Sequence, residues 1–293
     1  MANPAAGTEM PSYEELLQPL PLFSLRRLEF ALQRLVMKTV GRLSDGIRLG
    51  WKVGFDSGAM LDYVYENRPR GITPLGCWID RQYLKSIGWQ GIRQRRVHLE
   101  QVIREAVGKL RAEGRPVRVL DIATGHGRYV LEALAELRGV EFTALLRDWD
   151  PRNVEAARER ARQMNLPTVA CAQGDAFDRQ SLASIQPPPT IAIVSGLYEL
   201  FPDNVLVARS LAGLSEALHD SGYLVYTNQP WHPQVEMIAR VLTNREGKAW
   251  IMRCRPQREM DLLVGDAGFE KVNMHSDDWG IFTVSLARRP PEV

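Results

Sequence analysis

Three acidic residues, each at or just beyond the end of a short apolar run, carry the first chemical signal in this 293-residue chain: Asp121, Asp148 and Asp175. Asp121 closes V-R-V-L-D and is followed by I-A-T-G-H-G-R-Y-V, which puts Gly125 and Gly127 in a tight loop and starts a helical pattern at Arg128. Glycine lets the backbone come close to a ligand, and a helix start offers unpaired N–H groups. Strand, loop and helix start together make a place for a nucleotide-like ligand. A dinucleotide fingerprint would need G-x-G-x-x-G, and here the third position holds Val130. Asp121 would also repel a pyrophosphate, whereas a carboxylate suits a cationic or polar ligand. Two later loops carry groups able to position an acceptor or take its proton. S-G-L-Y-E-L-F-P at 195–202 supplies Tyr198 and Glu199, and N-Q-P-W-H-P-Q at 228–234 supplies Trp231 and His232. His232 is the general-base candidate, because free imidazole titrates near neutrality. Packing for Tyr198, capping for Glu199 and a local hydrogen bond for His232 are the plain alternatives.

These residues need strands and helices to hold them. The run at 140–147 ends at Asp148, and D-W-D-P-R-N then opens a helix with Asp150 as N-cap and Pro151 in its first position. Residues 168–173 read as a strand followed by G-D-A-F at 174–177, and 191–196 as a fully buried strand. A helical stretch near 203–218 precedes a strand at 223–228. The chain then reads helix, A-G-F, strand over 261–272, and a last strand within 279–287.

D-x-A-x-G-x-G at 121–127 resembles the first motif of class I S-adenosylmethionine (SAM) methyltransferases, usually D/E-x-G-x-G-x-G. The chain departs from it at Ala123, the next smallest residue after glycine, and has His126 where Thr or Ser is common. The resemblance implies a Rossmann-like α/β fold: a seven-stranded, mostly parallel sheet with an antiparallel last strand, as the terminal strand pair suggests. It implies that Asp121, Ala123, Gly125 and Gly127 face the methionine part of SAM. Asp148 would hold the ribose hydroxyls, Trp149 would lie against adenine, and Asp175 and the Ala176 N–H would meet the adenine edge. Ser195, ending the fourth strand, completes the expected cofactor set. Helix capping is the competing role for Asp148 and Asp150. Amino-methylating enzymes acting on nucleic-acid bases or glutamine often carry Pro-Pro after the fourth strand, and this chain does not. Over about Gly46 to Ala287, the segments G-F-D-S-G-A-M-L-D-Y-V-Y-E-N, D-I-A-T-G-H-G-R-Y-V-L, S-G-L-Y-E-L-F and N-Q-P-W-H-P-Q are similar to a bacterial methyltransferase group sometimes fused to an α/β-hydrolase. That resemblance implies SAM chemistry without naming an acceptor. Its hydrolase association points to a small-molecule or lipid-related one.

Charge divides the chain. Residues 1–116 carry 18 Lys and Arg against 12 Asp and Glu, and residues 117–293 carry 19 against 23. We expect a flexible tail over 1–21, an N-terminal helical cap over 22–112 and the SAM-binding core over 113–293. In 22–43, Leu25, Leu28, Leu32, Leu35 and Leu43 lie near one face, among Arg26, Arg27, Arg34, Lys38 and Arg42. The favoured reading packs this helix on its own domain or a partner chain, with solvated arginines; contact with an anionic membrane surface is the alternative. The aromatic cap supplies substrate-binding candidates: Tyr83, and Arg93 with Arg96 one turn apart, joined by Trp231 from the later loop. Cys77, Cys171 and Cys254 lack metal or redox spacing, and no His, Cys or carboxylate cluster suggests a metal. No apolar run reaches membrane-spanning length, and no secretion signal is evident. A cytoplasmic enzyme is expected, with peripheral contact at the inner membrane left open. A net charge of +2 and the lack of an RNA-binding motif argue against nucleic acid. A non-catalytic SAM-binding regulatory module is the alternative from another class; oligomeric state does not follow.

Overall fold

The computed structural model describes residues 10–137 and 139–291. Its frame is a seven-stranded sheet: β1 (Val117–Asp121), β2 (Phe142–Asp148), β3 (Val169–Gln173), β4 (Ile191–Val194), β5 (Tyr223–Asn228), β6 (Glu270–Ser276) and β7 (Thr283–Arg288). The spatial order is β3-β2-β1-β4-β5-β7-β6. The first five strands pair in parallel, and β7 runs antiparallel to both β5 and β6. Val119 sits between Ala144 of β2 and Ile191 of β4, so β1 is where the strand order reverses. In open α/β sheets, ligands bind at the carboxyl ends of the strands at such a reversal.

Among the described residues, twelve α-helices surround the sheet. The cap holds α1 (Tyr13–Leu17), α2 (Leu25–Lys38), α3 (Asp45–Val53), α4 (Gly58–Glu66), α5 (Pro74–Leu84) and the first half of α6 (Ile87–Ala112). The core adds α7 (Arg128–Ala135), α8 (Pro151–Gln163), α9 (Arg179–Ala183), α10 (Asn204–Ala217), α11 (Val235–Val241) and α12 (Gln257–Asp266). One sheet face packs Val119, Ala144 and Ile193 against Leu99, Ile103 and Leu110 of α6 and Val130 and Leu131 of α7. The other packs Leu120, Ala192 and Leu224 against Leu211 and Leu214 of α10 and Met260 of α12. Strands buried on both faces explain the near-continuous apolar runs of β4 and β5.

The cap has its own core, in which Phe55, Met60, Val64, Trp89 and Ile92 meet Ile238 and Leu242 of the α11 region. Buried Asp80 ties it together, accepting from Ser44 Oγ, Tyr63 OH and the Gly46 and Arg70 N–H groups. Helix α6 passes from the cap core to the sheet core, with Arg95 buried near the crossing.

Two expectations for the N-terminus change. Order begins earlier than residue 22: Ser12 and Glu15 form a capping box on α1, and Leu16 is buried with Val235 and Ala239. The expected disorder of residues 1–9 lies outside the described residues. The leucine face of α2 points away from the protein. Leu25, Leu28, Leu32 and Leu35 are exposed, and Phe30 and Met37, off that stripe, pack on the cap core. Basic side chains share the inner side: Arg26 pairs with Glu236, and Arg34 and Lys38 lie 6.0 and 5.1 Å from the centre of the Trp51 ring. No helix of the described residues is long and apolar enough to cross a membrane.

Candidate active site

A cavity of ≈ 460 Å³ lies over the carboxyl ends of β1 to β4, roofed by Gly58, Leu61, Asp62 and Tyr65 of α4 and by 244–246. Its floor is the loop anticipated from sequence. Gly125 and Gly127 have φ of +56° and +68°, the left-handed region where a side chain is strained, and Gly127 caps α7 without a side-chain bond to the helix. The first turn of α7 therefore keeps N–H groups available to a ligand. Asp148 shapes this loop: Oδ2 accepts the Gly125 N–H at 2.8 Å, and Oδ1 accepts the Asp150 N–H at 2.9 Å and Asn153 Nδ2 at 3.0 Å. With two acceptor positions per oxygen, Oδ2 keeps one for a ligand hydroxyl. Asp150 caps α8 by accepting the Arg152 N–H, with Pro151 in the first turn.

Ala123, Gly125, Gly127, Asp148, Trp149, Asp175, Ala176 and Ser195 all line this cavity. Trp149 is an exposed plate at the wall, 71% accessible. Asp175 Oδ1 accepts the Phe177 N–H at 2.8 Å, which fixes the carboxylate at the end of β3. Asp121 departs from expectation. It is fully buried beneath the loop, off the cavity wall, holding Tyr129 OH and the Ala123 N–H. Burial pushes its carboxyl up to about 7, against the lowering effect of the Tyr129 hydrogen bond.

The opposite wall was not anticipated. Asp62 of α4 meets Arg128, Arg160 and His126, tying the cap to the glycine loop and to α8. Burial alone would raise the Asp62 carboxyl, but the hydrogen bonds from His126 and Arg128 and the two arginine charges hold it well below the usual carboxylate range. Gly58 allows the close approach: a Cβ there would sit 2.9 Å from Asn153 Oδ1. Arg245 grips Asp56 through its backbone N–H and Nε, at 2.6 and 3.0 Å, and so pins the 244–246 roof to the cap.

A second, apolar cavity of ≈ 140 Å³ adjoins the first, and Asp56, Leu61, Arg95, Gly196 and Leu200 line both. Its walls include Tyr83, Trp89, Ile92, Met237, Ile238 and Trp250. At the shared wall, Arg95 Nη1 lies 3.3 Å from Glu199 Oε1, with both side chains more than nine-tenths buried. Arg95 Nε, Glu199 Oε2 and Trp250 Nε1 are buried without a hydrogen-bond partner. His232 lines the same cavity. Its Nδ1 accepts the Gln234 N–H at 3.0 Å, so the neutral ring carries its proton on Nε2. Burial lowers its pKa to about 4. The imidazole therefore offers the cavity an N–H donor, not the free lone pair a general base needs.

Four other candidates lie elsewhere. Tyr198 turns into the core beneath α10, its hydroxyl 2.9 Å from Ser210 Oγ. Arg93 donates to the Leu84 carbonyl, and Arg96 is paired with Glu100 and Glu132, so neither reaches a cavity wall. The arginine at the site is Arg95, between them. Trp231 lies beside Gly280, outside both cavities. Tyr83 does line the apolar cavity, as expected. Among the described residues, no group of three or more His, Cys, Asp and Glu is placed to hold a metal ion.

The strand order, antiparallel final pair and strand-end cavity define a Rossmann-like fold of the SAM-dependent methyltransferase type. Solved structures of low sequence identity share that fold. A protein of Bordetella parapertussis described as a possible exported protein matches with a TM-score of 0.65 at 17% identity, over 95% of this chain and 93% of that one. The magnesium protoporphyrin IX methyltransferase of Synechocystis, solved with bound S-adenosylhomocysteine (SAH), matches with a TM-score of 0.54 at 14% identity, over 81% and 97%. The family described as "Putative methyltransferase" matches residues 2–289, and the chain belongs to it. Escherichia coli YnbC, described as uncharacterized, is 52% identical over 273 residues, covering 92% of this chain and 46% of that protein. The chain thus spans about half the length of that relative.

Proposed function

We propose that this chain transfers the methyl group of SAM to a small or lipid-related acceptor held in the apolar cavity. The observation that carries the reading is the contact between the two cavities: a polar one ringed by Asp148, Asp175 and the glycine loop, and an apolar one sharing its wall at Arg95 and Gly196. The polar cavity suits a nucleoside, with Asp148 for the ribose diol and Asp175 and Ala176 for the base edge. Methyl transfer is an in-line displacement, so the protein's work is to align donor and acceptor and exclude water. The cap performs that role through Asp62 and Arg245. His232 would serve as a hydrogen-bond donor that orients the acceptor. The test is transfer of label from methyl-labelled SAM into a fractionated cell extract. Label in low-molecular-weight, organic-extractable material is expected; label only in protein or nucleic acid would overturn the reading.

We propose further that the chain sits at a membrane surface. The exposed leucines of α2, preceded by fully exposed Phe23 and bordered by exposed Arg27 and Arg42, fit an anionic lipid surface. Co-sedimentation with phosphatidylglycerol vesicles is expected, and it should be lost in Leu28→Glu/Leu32→Glu, whose side chains support no packing. Equal sedimentation of parent and variant would refute it.

A further inference from the structure

We infer that the acceptor is a neutral, single-ring phenol and that Glu199 Oε2 receives its hydroxyl proton. The inference rests on the methyltransferase reading above and specifies its acceptor. Four observations carry it. The first is size: ≈ 140 Å³, when an engineered apolar cavity of about 150 Å³ holds one benzene. The second is the lining. Trp89 and Trp250 stack with centroids 6.3 Å apart, Tyr83 meets Trp89 edge-on at 5.7 Å, and Ile92 and Ile238 add aliphatic wall. Such a surface accepts a flat ring by area burial and by edge or face contact.

The third observation is charge. Arg95 and Glu199 neutralise one another at 3.3 Å. A carboxylate ligand would meet the glutamate, an ammonium ligand the arginine, and neither would find a free counter-charge. The fourth is the buried, unpartnered Glu199 Oε2 itself. A carboxylate oxygen removed from water without a donor is costly, and a ligand O–H removes that cost. An alkyl alcohol is too weak an acid to give its proton to a carboxylate. A phenol, with a pKa of about 10, is a closer match, and the Arg95 charge beside it favours the developing phenolate.

The step balances. The hydroxyl oxygen forms the new bond to the methyl carbon. The sulfur–carbon bond of SAM breaks with its electron pair staying on sulfur, and the proton passes to Glu199. The products are an aryl methyl ether and SAH. Lining both cavities, Arg95 and Gly196 mark where oxygen and methyl carbon meet.

The test begins with the full chain saturated in SAH and titrated with p-cresol, toluene, benzoate and 2-naphthol. p-Cresol should bind at least about tenfold more tightly than toluene, which has its shape but no hydroxyl. Benzoate and 2-naphthol should bind at least tenfold more weakly than p-cresol. With SAM, 4-methylanisole should accumulate. Glu199→Gln should lower turnover by about 100-fold or more while changing p-cresol affinity less than fivefold. Met237→Trp, which fills the cavity from a half-buried position, should abolish p-cresol binding and leave SAH binding intact. If SAH binds but p-cresol shows no advantage over toluene, or Glu199→Gln keeps full turnover, the phenol inference falls and the methyltransferase reading stands. If SAH does not bind, both fall.

Discussion

Replacing Asp148 by alanine separates a nucleoside site from a helix-capping carboxylate. In the free protein this side chain takes three donors: the Gly125 and Asp150 N–H groups and Asn153 Nδ2. If its remaining acceptor capacity serves a ribose diol, truncation removes a charge-assisted hydrogen bond to the ligand, worth about 1.5–3 kcal/mol. At 1.4 kcal/mol per factor of ten, SAH affinity should fall by roughly 10- to 150-fold. The glycine loop also loses the acceptor that holds its Gly125 N–H, which works in the same direction. Stability should fall by about 1–3 kcal/mol for the donors left behind, to the extent that water does not replace the lost partner. Asp148→Asn keeps an acceptor oxygen but turns an NH2 group toward one of those donors, so it should fall between parent and Asp148→Ala. Isothermal calorimetry with SAH reads the affinity, and thermal melts confirm that both variants are folded. A folded Asp148→Ala with unchanged SAH affinity would refute the ribose assignment and leave Asp148 as a loop and cap residue only.

Other consequences follow from the buried groups. The folded pKa of Asp121 is raised to about 7 from an unfolded value near 3.8, so unfolding releases a proton between those values and the parent loses stability as pH rises through that window. In Asp121→Asn that loss is absent, and urea melts at several pH values should show the variant gaining on the parent between pH 4 and 7 by an amount on the order of 4 kcal/mol; parallel curves would contradict the burial argument. The folded pKa of His232 is lowered to about 4, so the parent loses stability as pH falls from 6.5 toward 4, and His232→Gln should flatten that acid limb. Turnover should show no ionisation near 6.5 that disappears in His232→Gln, and one that does would restore the general-base role. Tyr198→Phe should cost about 1 kcal/mol through the lost Ser210 contact and leave turnover within twofold, whereas a loss of 100-fold would return Tyr198 to the chemistry.

The strand-end cavity was legible because its code is local. A strand ending in a carboxylate, two glycines needing positive φ and a helix start occupy consecutive residues, and each next strand repeats the pattern. Asp148, Trp149, Asp175 and Ser195 reach one cavity because parallel strands bring their carboxyl ends together. Asp121 was misplaced because the loop that follows it folds over it. Around the apolar cavity, residues distant in sequence meet and helical spacing does not tell inside from outside. Arg93 and Arg96 do share a helix face, but Arg95 is the residue turned inward, over the Phe282 ring at 4.8 Å. Helix α2 carries two apolar sets, and the shorter one, Phe30 and Met37, is the set that packs; Trp51 binds it through the Met37 carbonyl and draws Arg34 and Lys38 over its ring. The leucine stripe has the stronger periodicity and faces outward. Tyr198 shows the same limit: a tyrosine after β4 looks catalytic until the short helical turn there directs it beneath α10.

Calorimetric titration of the purified chain with SAM and SAH beside NAD and NADP tests most directly which nucleotide the strand-end cavity takes. SAM and SAH should bind and the two dinucleotides should not, because Val130 replaces the third glycine and the carboxylates at the strand ends disfavour a pyrophosphate. Binding of NAD or NADP without SAM or SAH would contradict that expectation.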